Sequence, residues 1–354
     1  MIDAAKIVNF APMRSILVIR LSSMGDVILA TPIVRQLHRT YPGARIDVAV
    51  AERFADVWTH NPHVACVWKL ATMSATDADV DEMKIEMLES LAKEHGGAYD
   101  LIVDLQNNLR SAALRHGLGR RVMSAPKHRL EKLAMVWLKK RPAVVTPVVE
   151  RYRSALADLP LVLDTEPCEV WLEDERQQGA YPTSRPPRPG RPIVALAPGA
   201  HHATKRWPVE RYGALARRLV SDLGAEVVLV GGPADVDLCR AVAETSGVTV
   251  RRADGATSLE PTIRALDGCH LLVTNDSGVM HLATARRLPV VAIFGSTVRE
   301  LGFAPYATPH RIVEQNVSCR PCSHIGRSAC PKGHFACMDL IEVDAVLDAV
   351  RGFL

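Results

Sequence analysis

The chain has 354 residues, 48% of them hydrophobic and 23% charged, with a formal net charge of +4. That length supports two cores. It holds no apolar run near the ~20 residues that span a bilayer, and the positive surplus is too weak to argue for nucleic acid.

Read from the N-terminus, Met1 to Met13 includes Asp3 and lacks the core and cleavage pattern of a signal peptide, so a cytoplasmic protein is expected. In that compartment eight cysteines read as thiols or metal ligands rather than disulfides. The apolar run 15–20 predicts a strand, followed by a turn at Ser22 to Gly25 and an amphipathic helix through Arg39. Residues 46–50 and 99–104 repeat the strand pattern, with helical segments between. Nearly continuous apolar strands alternating with helices indicate a parallel sheet covered on both faces. Residues 181–192 hold five prolines, which neither continue a helix nor enter a central strand, and they predict an interdomain linker. The alternation then restarts, with strands expected at 193–196, 226–230, 248–251, 271–274 and 290–294, and a closing helix over 341–350. The expected organisation is an α/β protein. Its first domain is 1–180, its linker 181–192, its second domain 193–338 and its C-terminal helix 339–354. Two doubly wound parallel-sheet domains would face a cleft at the carboxyl ends of their strands.

The most informative stretch is Asn275-Asp276-Ser277-Gly278-Val279-Met280-His281. It joins an apolar strand to a helix start, where outward N–H groups and the helix dipole suit a phosphate. A capped helix after a buried strand is the plainer reading of the same residues. Asp26 belongs to the first strand-to-helix turn, where a carboxylate can serve as a base or merely cap the helix. No GxGxxG fingerprint accompanies it. Gly199 ends the first strand of the second half, and Thr204-Lys205-Arg206-Trp207-Pro208 follows. Lys205 there can reach a phosphate as a mobile point charge. Gly231 and Gly232 form another small-residue turn, open to a flat base or ribose. Asp235 and Asp237 resemble a DxD metal motif but read better as the acidic first turn of a helix. Residues 126–141 carry six cations against Glu131, together with Leu130, Leu133, Trp137 and Leu138. That composition suits a membrane surface or an anionic, lipid-linked substrate, with a solvated helix face as the alternative. Cys319, Cys322, Cys330 and Cys337 could hold a structural zinc or iron; reduced structural thiols are the other reading.

Taken together and in order, residues 19–26, the Pro198-Gly199-Ala200 and 205–208 segments, and the 275–281 turn resemble glycosyltransferase family 9, the ADP-heptose:lipopolysaccharide heptosyltransferases. The resemblance extends over essentially the whole chain, and the form of the 275–281 turn is closer to heptosyltransferase II. It implies a GT-B architecture and an inverting transfer that needs no cofactor. It implies Asp26 as general base, Lys205 on the donor phosphates, and Asp276 to His281 as the donor-binding turn. The implied partners are ADP-heptose and a lipid A-core type acceptor, met at the cytoplasmic face of the inner membrane. A nucleotide-sugar epimerase of the same fold and a non-catalytic nucleotide- or glycan-binding protein are the competing readings.

Overall fold

The computed structural model describes residues 13–71, 77–95, 97–182 and 190–354. Expectations for residues 1–12 and for 183–189 of the proline-rich stretch lie outside them. The chain packs as two compact units.

The first unit comprises Met1–Ser22, Ala30–Lys127 and Arg151–Asp164. Its strands are β1 (Ser15–Ile19), β2 (Arg45–Ala51), β3 (Cys66–Leu70), β4 (Leu101–Asp104) and β5 (Val122–Ser124). They form a sheet in the order β3-β2-β1-β4-β5, with every pairing parallel. Leu17, Ile19, Ala49 and Ile102 lie in its core with Met87, Leu91 and Tyr99. The strand order reverses between β1 and β4, and the two chains diverging there are tied together. Arg20 Nη1 donates to the Leu105 carbonyl at 2.7 Å, and Ser22 N donates to Gln106 Oε1 at 3.3 Å. This fixes the loop that leads to Asp26.

The second unit comprises Ser23–Leu29, His128–Glu150 and Thr165–Leu354. Its strands are β6 (Ile193–Ala197), β7 (Glu226–Gly231), β8 (Arg251–Asp254), β9 (Leu271–Asn275), β10 (Val290–Phe294) and β11 (His310–Glu314). They form a parallel sheet ordered β11-β10-β9-β6-β7-β8. Val194, Leu196, Leu229, Val273 and Ile293 pack with Leu215, Leu219, Val346 and Leu347 from its helices. The closing helix, Val343–Arg351, is part of this core rather than an appendage. Strand β8 begins at Arg251, where the sequence pattern had it end. Gly247 closes the preceding helix in the left-handed conformation, and the chain reaches register with β7 only at Arg251↔Val228. As an edge strand it carries the polar run Arg-Arg-Ala-Asp instead of an apolar one.

Packing divides the chain at other places than the 180 and 193 boundaries. Residues 165–180 join the second unit because buried Arg286 holds Glu175 at 2.5 Å and Asp267 at 2.7 Å. Residues 128–150 join it through Met135, which packs on Val298 and Leu301, and through Tyr306 Oη, which donates to Glu150 at 2.8 Å.

Candidate functional site

In a doubly wound sheet, ligands bind beyond the carboxyl ends of the strands where the order reverses. In the second unit that place lies between β6 and β9, which pair Ala197↔Thr274 at their carboxyl ends. The chain leaving β6 is Pro198-Gly199, and the chain leaving β9 is Asp276-Ser277, which enters the helix Gly278–Ala285. The predicted residues of both segments therefore meet at one corner.

Asn275 is the bracket of that corner. Its Oδ1 accepts from Trp207 N at 3.0 Å and its Nδ2 donates to the Pro198 carbonyl at 2.8 Å, all buried. The side-chain amide is thus spent on holding the two loops together. Thr204 is committed in the same way. Its hydroxyl donates to the Arg327 carbonyl at 3.1 Å, accepts from Arg327 N at 2.8 Å, and accepts from Ser296 Oγ at 3.0 Å. These bonds set the short 3-10 turn Ala203–Lys205 and aim Lys205.

Lys205 Nζ lies 2.7 Å from Asp276 Oδ2, and the same oxygen accepts from Thr297 Oγ1 at 2.7 Å. Burial pushes the Asp276 carboxyl up, but the Lys205 ammonium, the Thr297 hydroxyl and nearby His281 outweigh it and hold it below its ordinary value. Thr297 and Ser296 were missed in the sequence. Their signal was the Gly295-Ser296-Thr297 turn at the carboxyl end of β10, a small polar turn like the others at this edge.

His281 sits at the fourth position of the helix and is 2% exposed. Its Nδ1 is buried with no hydrogen-bond partner among the described residues. Burial pushes its pKa down to about 4, against the opposing pull of Asp276 and Asp26, so the ring is neutral at pH 7. The short helix Met24–Ile28 packs against the Cδ2 side of the imidazole. A Cβ on Gly25 would stand 2.6 Å from His281 Cδ2, so glycine is what lets this helix come so near. Met24 lies over Gly278 in turn, where an added Cβ would meet Met24 Cε at 2.5 Å.

Asp26 is in the first turn of that short helix and half-buried. Its Oδ2 accepts from Ser23 Oγ at 3.0 Å and Ser23 N at 3.3 Å. Its charge is felt by His281, so Asp26, His281, Asp276 and Lys205 form one electrostatic neighbourhood. Ser277, Gly278 and Val279 remain half-buried at the helix start, and Ser277 Oγ lies 3.3 Å from Thr274 Oγ1. The arrangement brings a cation, a helix N-terminus and a carboxylate into one neighbourhood, a chemistry that suits an anionic ligand.

Gly199 and Gly231 both lie against the Asp235 carboxylate, which accepts from Gly232 N at 3.1 Å. Asp235 therefore pins the two glycine turns, while exposed Asp237 pairs with Arg240 at 2.6 Å. The four cysteines come within electrostatic reach of one another. Cys337 is buried in the hydrophobic core, and that burial, with smaller contributions from Cys322, Cys319 and Cys330, pushes its thiol up to about 11. Cys319 Sγ lies 3.8 Å from His334 Nε2. Cys330 is half-buried, and backbone N–H groups of residues 332–335 outweigh that burial to hold its thiol below the ordinary value. Among the described residues no three His, Cys, Asp or Glu side chains converge as metal ligands. The zinc or iron reading of Cys319, Cys322, Cys330 and Cys337 is therefore not supported.

The description "Glycosyltransferase family 9 (heptosyltransferase)" belongs to the family profile that matches residues 88–332. Lipopolysaccharide heptosyltransferase 2 of Escherichia coli K12 is 27% identical over 296 residues, covering 79% of this chain and 82% of its own. Lipooligosaccharide heptosyltransferase 2 of Campylobacter jejuni serotype O:6 is 27% identical over 168 residues, 46% of this chain. The match spans about half (51%) of that relative's length. Among solved structures, E. coli ADP-heptose lps heptosyltransferase II superposes with a TM-score of 0.68 at 23% identity, over 96% of this chain and 98% of the other. That likeness concerns the fold: two Rossmann-like, doubly wound parallel-sheet units of the GT-B class. With the profile running across both Lys205 and the 275–281 turn, the chain belongs to glycosyltransferase family 9.

Proposed function

We propose that this protein is an inverting glycosyltransferase that moves a heptose from ADP-heptose to a lipid-linked, lipopolysaccharide inner-core acceptor, working at the cytoplasmic face of the inner membrane. The observation that carries the reading is the Lys205–Asp276 pair at the start of the Gly278–Ala285 helix, with Asp26 within electrostatic reach of His281 in the same cluster. The donor diphosphate lies on the N–H groups of 277–279 and takes donors from Lys205. As the glycosidic bond breaks, negative charge grows on the departing diphosphate, where the helix end and the ammonium stabilise it. Asp26 takes the proton of the attacking acceptor hydroxyl while the new bond forms on the opposite face of the sugar. No cofactor enters these steps.

The test is transfer from ADP-heptose to an inner-core acceptor by the wild type and by Asp26→Ala. The variant is expected to lose on the order of 10²–10⁴-fold in rate, with its affinity for ADP nearly unchanged. Full activity in Asp26→Ala removes that residue from the mechanism. Rapid turnover of the donor with no acceptor present would favour the epimerase instead.

A further inference from the structure

The Arg129–Trp137 helix is turned the wrong way for a helix that only covers a core. Its single buried side chain, Met135, is 3% exposed and fixes it to Val298 and Leu301. Leu130, Leu133 and Trp137 recur at helical spacing on one stripe and stand 82%, 50% and 77% exposed. Leu138 and Val144 continue the exposed apolar surface at 65% and 79%. Large apolar side chains exposed along one helical stripe mark a surface that something else covers.

The charges around it say what. Residues 126–141 carry six cations and the single acid Glu131, which His128 engages at 3.0 Å. Arg129 and Lys140 are exposed and have no carboxylate partner among the described residues. Lys139 is used differently: its Nζ donates to the Pro321 carbonyl at 2.8 Å and to Val136 at 2.6 Å, which tethers the end of the helix to the body of the unit. Arg141 reaches Glu300 at 3.7 Å. The element is thus held in place from beneath and presents apolar side chains with a cationic rim outward. An acidic protein surface would match the rim but leave the leucines unsatisfied, and a neutral apolar partner would leave the cations bare. An anionic bilayer surface satisfies both, with acyl chains for Leu130, Leu133, Trp137 and Leu138 and phosphates for Arg129 and Lys140. No helix among the described residues is long and apolar enough to cross a membrane, so the contact is peripheral.

We propose that residues 129–144 dock this protein on an anionic phospholipid surface, the leucines and Trp137 entering the headgroup region. The inference deepens the reading of a lipid-linked acceptor, and its assay needs no transfer reaction, so failure of either is distinguishable from failure of the other.

The full chain is floated with vesicles of phosphatidylcholine alone or of phosphatidylcholine mixed with phosphatidylglycerol. Binding is expected to be on the order of tenfold tighter to the anionic vesicles and to weaken with added salt. Trp137 is the exposed one among five tryptophans, so its emission should shift to the blue on binding, and Trp137→Phe should abolish the shift. Combined Leu130→Gln, Leu133→Gln and Trp137→Gln should lower vesicle affinity at least about tenfold. The melting temperature and its rise with ADP should stay as in the wild type. Arg129→Glu with Lys140→Glu should remove the preference for anionic lipid. The proposal is overturned if wild type stays unbound, or if the triple variant binds vesicles as wild type does. It is equally overturned if the substitutions change only the oligomeric state, which would assign the face to a second copy of the chain.

Discussion

His281 should make the stability of this protein depend on pH in a way that one substitution removes. The ring is almost fully buried and its pKa falls from an ordinary 6.5 to about 4. Between those values the unfolded chain binds a proton at this position and the folded chain does not. Stability therefore rises with pH across that window and is lost as pH falls through it. Each unit is worth about 1.4 kcal/mol, so lowering the pH from 7.5 to 5 should cost about 2 kcal/mol from this ring alone, and reaching pH 4 about 3 kcal/mol. Urea denaturation at several pH values measures the slope directly. His281→Gln cannot titrate, and its curve should be flatter than that of the wild type by this amount between pH 4 and 6.5, whatever its stability at pH 7.5. His202 and His324 are also pushed down by burial, but they are present in both proteins and drop out of the difference. Parallel curves for the two proteins would refute the claim that the imidazole is held neutral inside the fold.

The packing of Met24–Ile28 on Gly278–Ala285 predicts unequal costs for two similar changes. Gly25→Ala drives a methyl into the buried His281 ring and should destabilise by about 1–3 kcal/mol, whereas Gly278→Ala meets the flexible end of Met24 and should cost less than about 1 kcal/mol, both read by urea melts. Asn275→Ala leaves Trp207 N–H and the Pro198 carbonyl buried and unpaired, and should cost on the order of 3 kcal/mol in the same assay. Lys205→Met strands the Asp276 carboxylate with only the Thr297 hydroxyl, for a loss of roughly 3 kcal/mol. Adding Asp276→Asn should restore part of that stability while transfer stays depressed by on the order of 10²-fold or more.

The parts of this site that the sequence made legible are those built from neighbours in the chain. Strand β9, the polar turn and the helix start follow one another within eleven residues, so their order and bounds are readable directly from the chain. That Lys205 meets the 275–281 turn is an expectation of the sequence, but its direct ion pair with Asp276 is not legible there, because it depends on how the loops after β6 and β9 lie side by side. For the same reason Asn275 and Thr204 read as ligand contacts, although long-range bonds to Trp207, Pro198 and Arg327 consume their side chains. Edge strands were the harder part of the fold. Strand β8 starts later than Val248 and Val250 suggest, and β11 has no continuous apolar run to announce it, because an edge needs none. The cysteine spacing is informative only in part: the four thiols do come within electrostatic reach of one another, yet Cys337 is buried among core side chains and no three ligating groups converge among the described residues.

The ion pair also sets how the work of binding a diphosphate must be divided under the proposed transfer. Lys205 is already paired with Asp276 at 2.7 Å, so the two together bring almost no net charge to an incoming anion. The ammonium keeps two further N–H donors after serving Asp276, and these can reach a phosphate without the pair being broken. The remaining attraction must come from the N–H groups at 277–279 and the helix dipole, which Asp276 does not neutralise because its Oδ2 is occupied by Lys205 and Thr297. The pair is then a means of holding the lysine at the cradle when no ligand is bound, rather than a charge reserved for the donor. On this argument, neutralising the acid alone should have a distinctive signature. Asp276→Asn should bind ADP at least as tightly as the wild type at equilibrium, since one negative charge leaves the site, yet transfer more slowly, since Lys205 is no longer aimed. Calorimetric titration with ADP and steady-state transfer rates separate the two effects. A parallel fall in affinity and rate would mean instead that the carboxylate itself contacts the donor.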